Sequence, residues 1–370
     1  MARAAAESDD LRQRLVLTSN IGGDRVRVRL SNTDVGASMI DGLRVAVEEG
    51  AAPEPVLVHG KATIVLAPGE EVYSDPVPLH VRPGDSLEIS SWSVGRQSAA
   101  ALSMVLAGSQ AWLEVSGALR TTGPMAEPLR KLLGQPGFGM VSGITSVEVD
   151  AREPVAGIAL FGDSMTQMGF WPAALEARLR SELPGRTSVR NLGIAGNRVL
   201  HDAPASMPSF GAAGIRRFER EVFGSEPVDV VVVFMGVNDL IHPVTVPDVA
   251  DQVVEPGALM AALETFSAMA HEHGAPAVAC TIPPFYGYEG WTPEVETVRA
   301  EVNKRLRTAA SFDAVVDLEP MLASESVPPG LRGGLDLGDH LHPGPAGGAV
   351  IAAAVMPELR KLLTERVLTA

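Results

Sequence analysis

The stretch Gly157-Ile158-Ala159-Leu160-Phe161-Gly162-Asp163-Ser164-Met165-Thr166-Gln167 decides how this chain is read. A short apolar run meets Gly162-Asp163-Ser164, and a helix-compatible segment follows. The run has the length of a strand buried on both faces. Gly162 permits a sharp turn where that strand ends. Ser164 then stands at the C-terminal edge of a strand and beside a helix start, where free backbone N–H groups favour negative charge. A serine so placed can attack a carbonyl while donors wait for the oxyanion. Taken alone, Gly-Asp-Ser reads first as a plain helix cap, because Ser is a favoured N-cap. The rest of the chain reverses that reading.

From Pro154 onward apolar runs alternate with helical patterns. The strand candidates are Val155–Phe161, Ser188–Leu192, Val228–Met235, Ala275–Ile282 and Ala314–Leu318. Between and after them lie helical patterns at Pro172–Ser181, Gly214–Phe223, Gly257–Glu272, Pro293–Ala309 and Pro345–Thr364. This alternation predicts right-handed βαβ units and a parallel sheet.

The earlier part has a different rhythm. Residues 1–10 read as a flexible tail, with order beginning near Leu11. Arg25-Val26-Arg27-Val28-Arg29-Leu30 alternates strictly, so the valines and Leu30 face a core and the arginines face water. Short runs at Leu43–Val47, Ala62–Leu66, Val77–Val81, Ser86–Ser90, Leu102–Leu106 and Ile144–Val149 are separated by turn chemistry such as Arg82-Pro83-Gly84-Asp85. Strands at this spacing predict an all-β sandwich or jelly roll over 11–150. Pro124–Leu133 is a short helix or loop. Ala151–Val155 is the expected junction, with an α/β domain over 151–370.

Composition excludes several classes. Hydrophobic residues at 46% and charged residues at 20% fit a globular protein of two domains. A net charge of -15 argues against general attraction to nucleic acid or anionic membranes. The single cysteine, Cys280, lies in an apolar stretch and reads as a buried structural thiol. The N-terminus lacks the apolar core of a secretory signal, and no apolar run has the length of a bilayer span. The expectation from the sequence as written is a cytoplasmic protein, or a secreted one if a signal peptide was removed. Oligomeric state is not legible.

In parallel α/β sheets, ligands bind beyond the C-terminal strand ends. Five segments follow those ends: Gly162-Asp163-Ser164, Gly193 to Arg198, Gly236-Val237-Asn238-Asp239, Thr281 to Tyr286, and Gly338-Asp339-His340-Leu341-His342-Pro343. They supply what acyl transfer needs. Ser164 is a nucleophile candidate. A histidine takes its proton and returns it to the leaving group. A carboxylate holds that imidazole in one tautomer. Asp339 and His342, three residues apart, can meet in a turn, with His340 a rival base and Asp336 a rival acid. The backbone N–H groups of Ser164 and Gly196 and the amide of Asn238 are candidate oxyanion donors.

Four blocks, Gly162-Asp163-Ser164, Gly193 to Asn197, Gly236-Val237-Asn238-Asp239 and Asp339 to His342, resemble those of the SGNH hydrolases, the GDSL lipase and esterase superfamily, in residue type, order and separation. The resemblance covers about Pro154 to the C-terminus. It implies Ser164 as nucleophile, His342 as base, Asp339 as its partner, and Ser164, Gly196 and Asn238 as the oxyanion hole. The implied fold is a flavodoxin-like three-layer α/β/α sandwich. The earlier part is similar to the jelly-roll domains that precede this hydrolase in many actinobacterial members, which are typically secreted.

The resulting expectation is a serine esterase working through an acyl-enzyme, on short acyl esters of a carbohydrate or another small alcohol. The alternatives are a broad-specificity lipase or carboxylesterase, a catalytically silent carbohydrate-binding protein, and a flavodoxin-like cofactor binder. No cofactor or metal is called for, and no phosphate loop or dinucleotide fingerprint is present. His271 and His273 lie two apart and would point to different faces of a helix. His201 and His242 read as surface or rim residues. Four of the 17 aromatic residues crowd into Phe285-Tyr286-Gly287-Tyr288-Glu289-Gly290-Trp291. Tyr286, Tyr288 and Trp291, with Arg198, are the expected substrate-binding residues, since Tyr and Trp offer an apolar face with a polar edge.

Overall fold

The computed structural model describes residues 5–32, 37–47, 52–99, 103–105, 109–116, 120–122, 139–224 and 226–366. It divides into two compact units. One comprises Met1–Val155 with Glu182–Arg186, the other Ala156–Ser181 with Thr187–Ala370. The segment Pro124–Leu133 lies outside the described residues.

Among the described residues the strand pairs of the first unit are antiparallel. Its larger sheet is built on Ala5–Thr18, which pairs with Ser86–Ala99 on one side and with Ser109–Ser116 and Arg120–Thr122 on the other. Its second sheet centres on Gly23–Ser31, paired with Ile144–Ala151, Glu71–Tyr73 and Val77–Val81. The two sheets share one core. Val26, Val28 and Leu30 of one sheet pack with Val45, Leu87 and Ile89 of the other, all fully buried. This is the alternation read from Arg25 to Leu30, with Arg25 and Arg27 facing out, and it fits a jelly-roll-like sandwich.

The expected tail over residues 1–10 is corrected for residues 5–10, residues 1–4 lying outside the described ones: a strand runs from Ala5, with Ala5 opposite Thr122 and Ala6 opposite Ala99. Ala, Glu, Ser and Asp have poor intrinsic strand preference, so nothing local announces this segment. Pairing partners about a hundred residues away place it in the sheet.

The second unit carries a five-stranded parallel sheet. Its strands are β1 (Ala156–Gly162), β2 (Thr187–Gly193), β3 (Val230–Phe234), β4 (Ala277–Cys280) and β5 (Ala314–Val316). Their spatial order is β2-β1-β3-β4-β5, the doubly wound flavodoxin-like order, whose switch point lies at β1. The helices are α1 (Ser164–Gln167), α2 (Phe170–Glu182), α3 (Gly214–Phe223), α4 (Val237–Thr245), α5 (Pro256–Glu272), α6 (Pro293–Leu306), α7 (Glu319–Leu322) and α8 (Pro345–Arg366).

The central strand β3 is Val-Val-Val-Val-Phe and buried at every position, as a strand covered on both faces must be. On one face Phe161 of β1 meets Phe218 of α3 and Phe266 of α5 edge-on, at 4.9 and 5.3 Å between ring centroids. On the other, Phe234 of β3 meets Trp171 of α2, and Gly348 of α8 packs on Phe170. Each aromatic ring buries a large apolar area and locks its helix to its face of the sheet. Among the described residues no helix is long and apolar enough to cross a membrane.

Candidate active site

The strand β1 delivers Ser164. Asp163 caps α1 with its side chain, Oδ1 accepting the Met165 N–H at 3.0 Å. Ser164 is thus the first residue of the helix, and its N–H has no acceptor within that turn. Its side chain lies in a nearly closed setting, 7% exposed. Gly162 makes the fold-back possible. A Cβ there would lie 2.0 Å from Thr166 Oγ1, so no other residue lets α1 return so closely over the strand end.

Ser164 Oγ lies 2.8 Å from His342 Nε2, and His342 Nδ1 lies 2.6 Å from Asp339 Oδ2. The other carboxylate oxygen, Oδ1, accepts the N–H groups of Leu341 and His342 at 3.0 and 2.8 Å. Burial works to raise the Asp339 pKa, but the ring and backbone donors outweigh it and hold the carboxyl down to about 2. The imidazole therefore faces a permanent anion at one nitrogen and a hydroxyl at the other. That arrangement favours the proton on Nδ1 and a lone pair toward Ser164.

The two rivals from the sequence are paired with each other. His340 Nδ1 meets Asp336 Oδ2 at 2.9 Å. His340 adopts a left-handed backbone, φ 65°.

The segment expected to carry an oxyanion donor runs from Gly193 to Arg198. Gly196 has φ +69°, and a Cβ there would fall 2.3 Å from the ring of Phe210, so both backbone and packing demand glycine. Asn238 stands in the first turn of α4, 3% exposed, and its Nδ2 donates to the carbonyl of Asn197 at 3.1 Å. The same nitrogen has a second hydrogen to offer. Asp239 stitches the next segment down by accepting the N–H groups of Val199 and Leu200 at 2.7 and 2.9 Å. Burial pushes Asp239 up to about 6 against those bonds. Burial also pushes Asp163 up to about 7, opposed by the Met165 N–H and the Arg217 guanidinium.

The aromatic loop borders this site. The ring of His340 lies against Gly287, and Gly290 packs on Ile241 of α4. Tyr288 is near enough to Asp339 for the carboxylate to help raise its phenol pKa, after burial itself and together with Glu289. Tyr286 is 43% exposed and stands edge-on to Trp291 at 4.8 Å. Phe285, by contrast, is fully buried core.

Two expectations are corrected. Arg198, expected at the substrate, points inward at 2% exposure. Its guanidinium donates to Gln252 Oε1 and to the carbonyl of Asp202, bracing its own loop. His242, read as a surface or rim residue, is 4% exposed and stacks on Phe210 with 5.4 Å between ring centroids. Burial, with Arg198 nearby, lowers its pKa to about 4. Both residues follow apolar neighbours inward for reasons that only the packing reveals. His201 is half-buried. His271 and His273 take separate partners, Asp313 and Glu219. Among the described residues no group of His, Cys, Asp and Glu is set to hold a metal ion. Cys280 is buried, and desolvation pushes its thiol up to about 12.

Sequence reasoning missed Asn197, Phe210 and Arg217. Asn197 is fully buried, and its Nδ2 donates to the carbonyls of Phe210 and Ala212 at 2.7 and 2.8 Å, tying those residues to the Gly193–Arg198 loop. Arg217 offered a signal: it shares a helical face with Gly214, Phe218 and Val222, all buried. A charge on an apolar stripe calls for buried acceptors.

Comparison with known proteins adds the family. Residues 160–350 match the GDSL-like Lipase/Acylhydrolase family. Among solved structures, a catalytic mutant of Axe2, an acetylxylan esterase from Geobacillus stearothermophilus, is 21% identical, with a TM-score of 0.44 over 56% of this chain and 96% of that one. LAE5, an alpha/beta hydrolase enzyme from the metagenome of Lake Arreo, Spain, is 21% identical, with 0.41 over 57% and 98%. The acetyl xylan esterase AlAXEase is 18% identical, with 0.43 over 55% and 99%. No curated protein matches the chain. The family match takes in just over half of the 370 residues and spans every motif loop from the end of β1 to the Asp339–His342 turn, so the chain belongs to the GDSL-like lipase and acylhydrolase family and is a hydrolase of ester bonds.

Proposed function

We propose that this hydrolase is a serine esterase in which Ser164 forms an acyl-enzyme, His342 is the general base and acid, and Asp339 orients it. The observation that carries the reading is the unbroken chain Ser164 Oγ to His342 Nε2 at 2.8 Å and His342 Nδ1 to Asp339 Oδ2 at 2.6 Å. In the first step His342 takes the Ser164 proton as Oγ bonds to the ester carbonyl carbon. The carbonyl oxygen becomes the oxyanion, received by the N–H groups of Ser164 and Gly196 and by Asn238 Nδ2. His342 then protonates the leaving alcohol, and the C–O bond breaks. Water repeats the sequence on the acyl-enzyme and releases the acid.

Two features of the surroundings support a substrate class of short acyl esters of a sugar or another small alcohol. The ring of Phe210 lies directly on Gly196, which favours a short acyl group such as acetyl over a long chain beside the oxyanion donors. Tyr286, Tyr288 and Trp291 give the alcohol side faces suited to a sugar ring or another small alcohol.

Purified protein is treated with a serine-directed phosphonate and assayed on p-nitrophenyl esters of increasing acyl length and on acetylated glycans. The expected result is one label on Ser164, turnover that falls with acyl length, and no turnover by a folded Ser164→Ala variant. Normal hydrolysis by Ser164→Ala refutes the mechanism, and preference for long chains refutes the substrate class.

A further inference from the structure

We propose that Arg217 is the positioning residue of the oxyanion hole, a single buried guanidinium that sets the Gly196–Asn197 loop against the strand end carrying Ser164. The inference rests on the serine-esterase reading above and extends it to a residue that touches no substrate.

Arg217 lies on α3 with its side chain 1% exposed. Its Nε donates to Asn197 Oδ1 at 2.9 Å. One terminal nitrogen donates to the carbonyl of Leu192 at 3.0 Å and to Glu221 at 2.6 Å. The other donates to the carbonyl of Gly162 at 2.9 Å. The guanidinium carbon sits 4.0 Å from the centroid of the Phe161 ring, a cation–π contact that fixes the plane of the fork.

The acceptors are three motif segments held at once. Gly162 is two residues before Ser164. Leu192 lies at the end of β2, where the oxyanion loop begins. Asn197 follows Gly196, and its own carbonyl accepts Asn238 Nδ2. Each of the three oxyanion donors therefore lies within two residues of, or one hydrogen bond from, a residue that Arg217 holds. A buried ion pair is an inefficient source of stability, because desolvation offsets the Coulomb gain. A planar fork supplies something else: fixed angles between three acceptors. Lysine, with one nitrogen at the end of a flexible stem, cannot span them. Glu221, 27% exposed, balances the charge from the outer side.

The test uses Arg217→Lys in the full chain, with kcat and KM on p-nitrophenyl acetate, the melting temperature, and active-site titration by a phosphonate. The expected result is kcat per titrated Ser164 reduced roughly 10- to 100-fold with KM nearly unchanged, as misplacement of a catalytic group by about 1 Å produces. In an Asn238→Ala background the same substitution adds little, because the hole is already broken. A purely structural role would lower the melting temperature and the titrated fraction while leaving kcat per site intact, and that outcome overturns the proposal. Asn197→Ala cuts the arm from the other end and leaves the bonds to Gly162 and Leu192. An unchanged kcat there also overturns the proposal, including in the event that Arg217→Lys does not fold. If the parent protein neither titrates nor hydrolyses ester, the serine-esterase reading itself fails, and this inference falls with it.

Discussion

Replacing Asp339 by Asn tests the orienting carboxylate, because the structure fixes which way the new amide must face. Asp339 Oδ1 accepts two backbone N–H groups, at 3.0 and 2.8 Å, while Oδ2 faces His342 Nδ1 at 2.6 Å. Asparagine keeps its carbonyl oxygen on the two N–H groups, since the opposite orientation would set donor against donor. Its NH₂ then points at Nδ1 and donates to it. Nδ1 becomes the lone-pair nitrogen, and the imidazole proton moves to Nε2, 2.8 Å from Ser164 Oγ. That nitrogen can no longer receive the serine proton. Shape and volume are nearly unchanged, so the loss is one of tautomer rather than of packing. The expected cost is roughly 10⁴-fold in kcat, or about 5 kcal/mol at the transition state. Asp339→Ala leaves the imidazole free to take either tautomer, with water able to enter because the Asp339 side chain is 44% exposed. Alanine should therefore be no worse than asparagine. The assay is steady-state hydrolysis of p-nitrophenyl acetate by both variants, with circular dichroism to establish that each is folded. An asparagine variant within tenfold of the parent refutes the reasoning. So does an alanine variant far slower than the asparagine one, which would assign Asp339 to shaping the turn.

Other outcomes follow from the same geometry. Asn238→Ala removes one proposed oxyanion donor and should lower kcat by roughly 10²–10³-fold with a smaller change in KM; a pure KM effect would make Asn238 a ground-state binding residue. His342→Ala should abolish turnover, whereas His340→Ala, which breaks only the ion pair with Asp336, should be mild, and the reverse ranking in the same ester assay would reassign the base. Tyr288→Ala and Trp291→Ala should raise KM or shift ester preference while Ser164 still reacts with a small phosphonate; lower melting temperatures with an unchanged substrate ranking would make these rings structural. His242 is held at about 4 by burial, below its ordinary value of 6.5, so unfolding takes up a proton between those values and stability falls as pH falls through that window, by up to about 3 kcal/mol. The parent should therefore lose stability relative to His242→Gln between pH 6.5 and 4 in thermal melts, and a pH-independent difference refutes this.

The catalytic unit was legible where chemistry is local. The apolar run into Gly162-Asp163-Ser164 marked a buried strand and the helix start after it, because strand burial and N-capping depend on near neighbours. The alternation from Arg25 to Leu30 fixed a core face for the same reason. Asp339 and His342 were readable from three-residue spacing, while the competing pair Asp336 and His340 was set aside only by the folded geometry, in which His342 and not His340 reaches Ser164 Oγ and His340 pairs with Asp336. Tertiary structure alone decided the rest. The strand at Ala5–Thr18 exists because partners far along the chain pair with it. Arg198 and His242 turn inward because their loop and helix pack that way. Besides Glu221 on its own helix, Arg217 takes acceptors from 20, 25 and 55 residues away, at Asn197, Leu192 and Gly162. A buried charge is tolerated only where such acceptors converge, and that convergence is a property of the folded sheet's edge rather than of any local stretch of sequence.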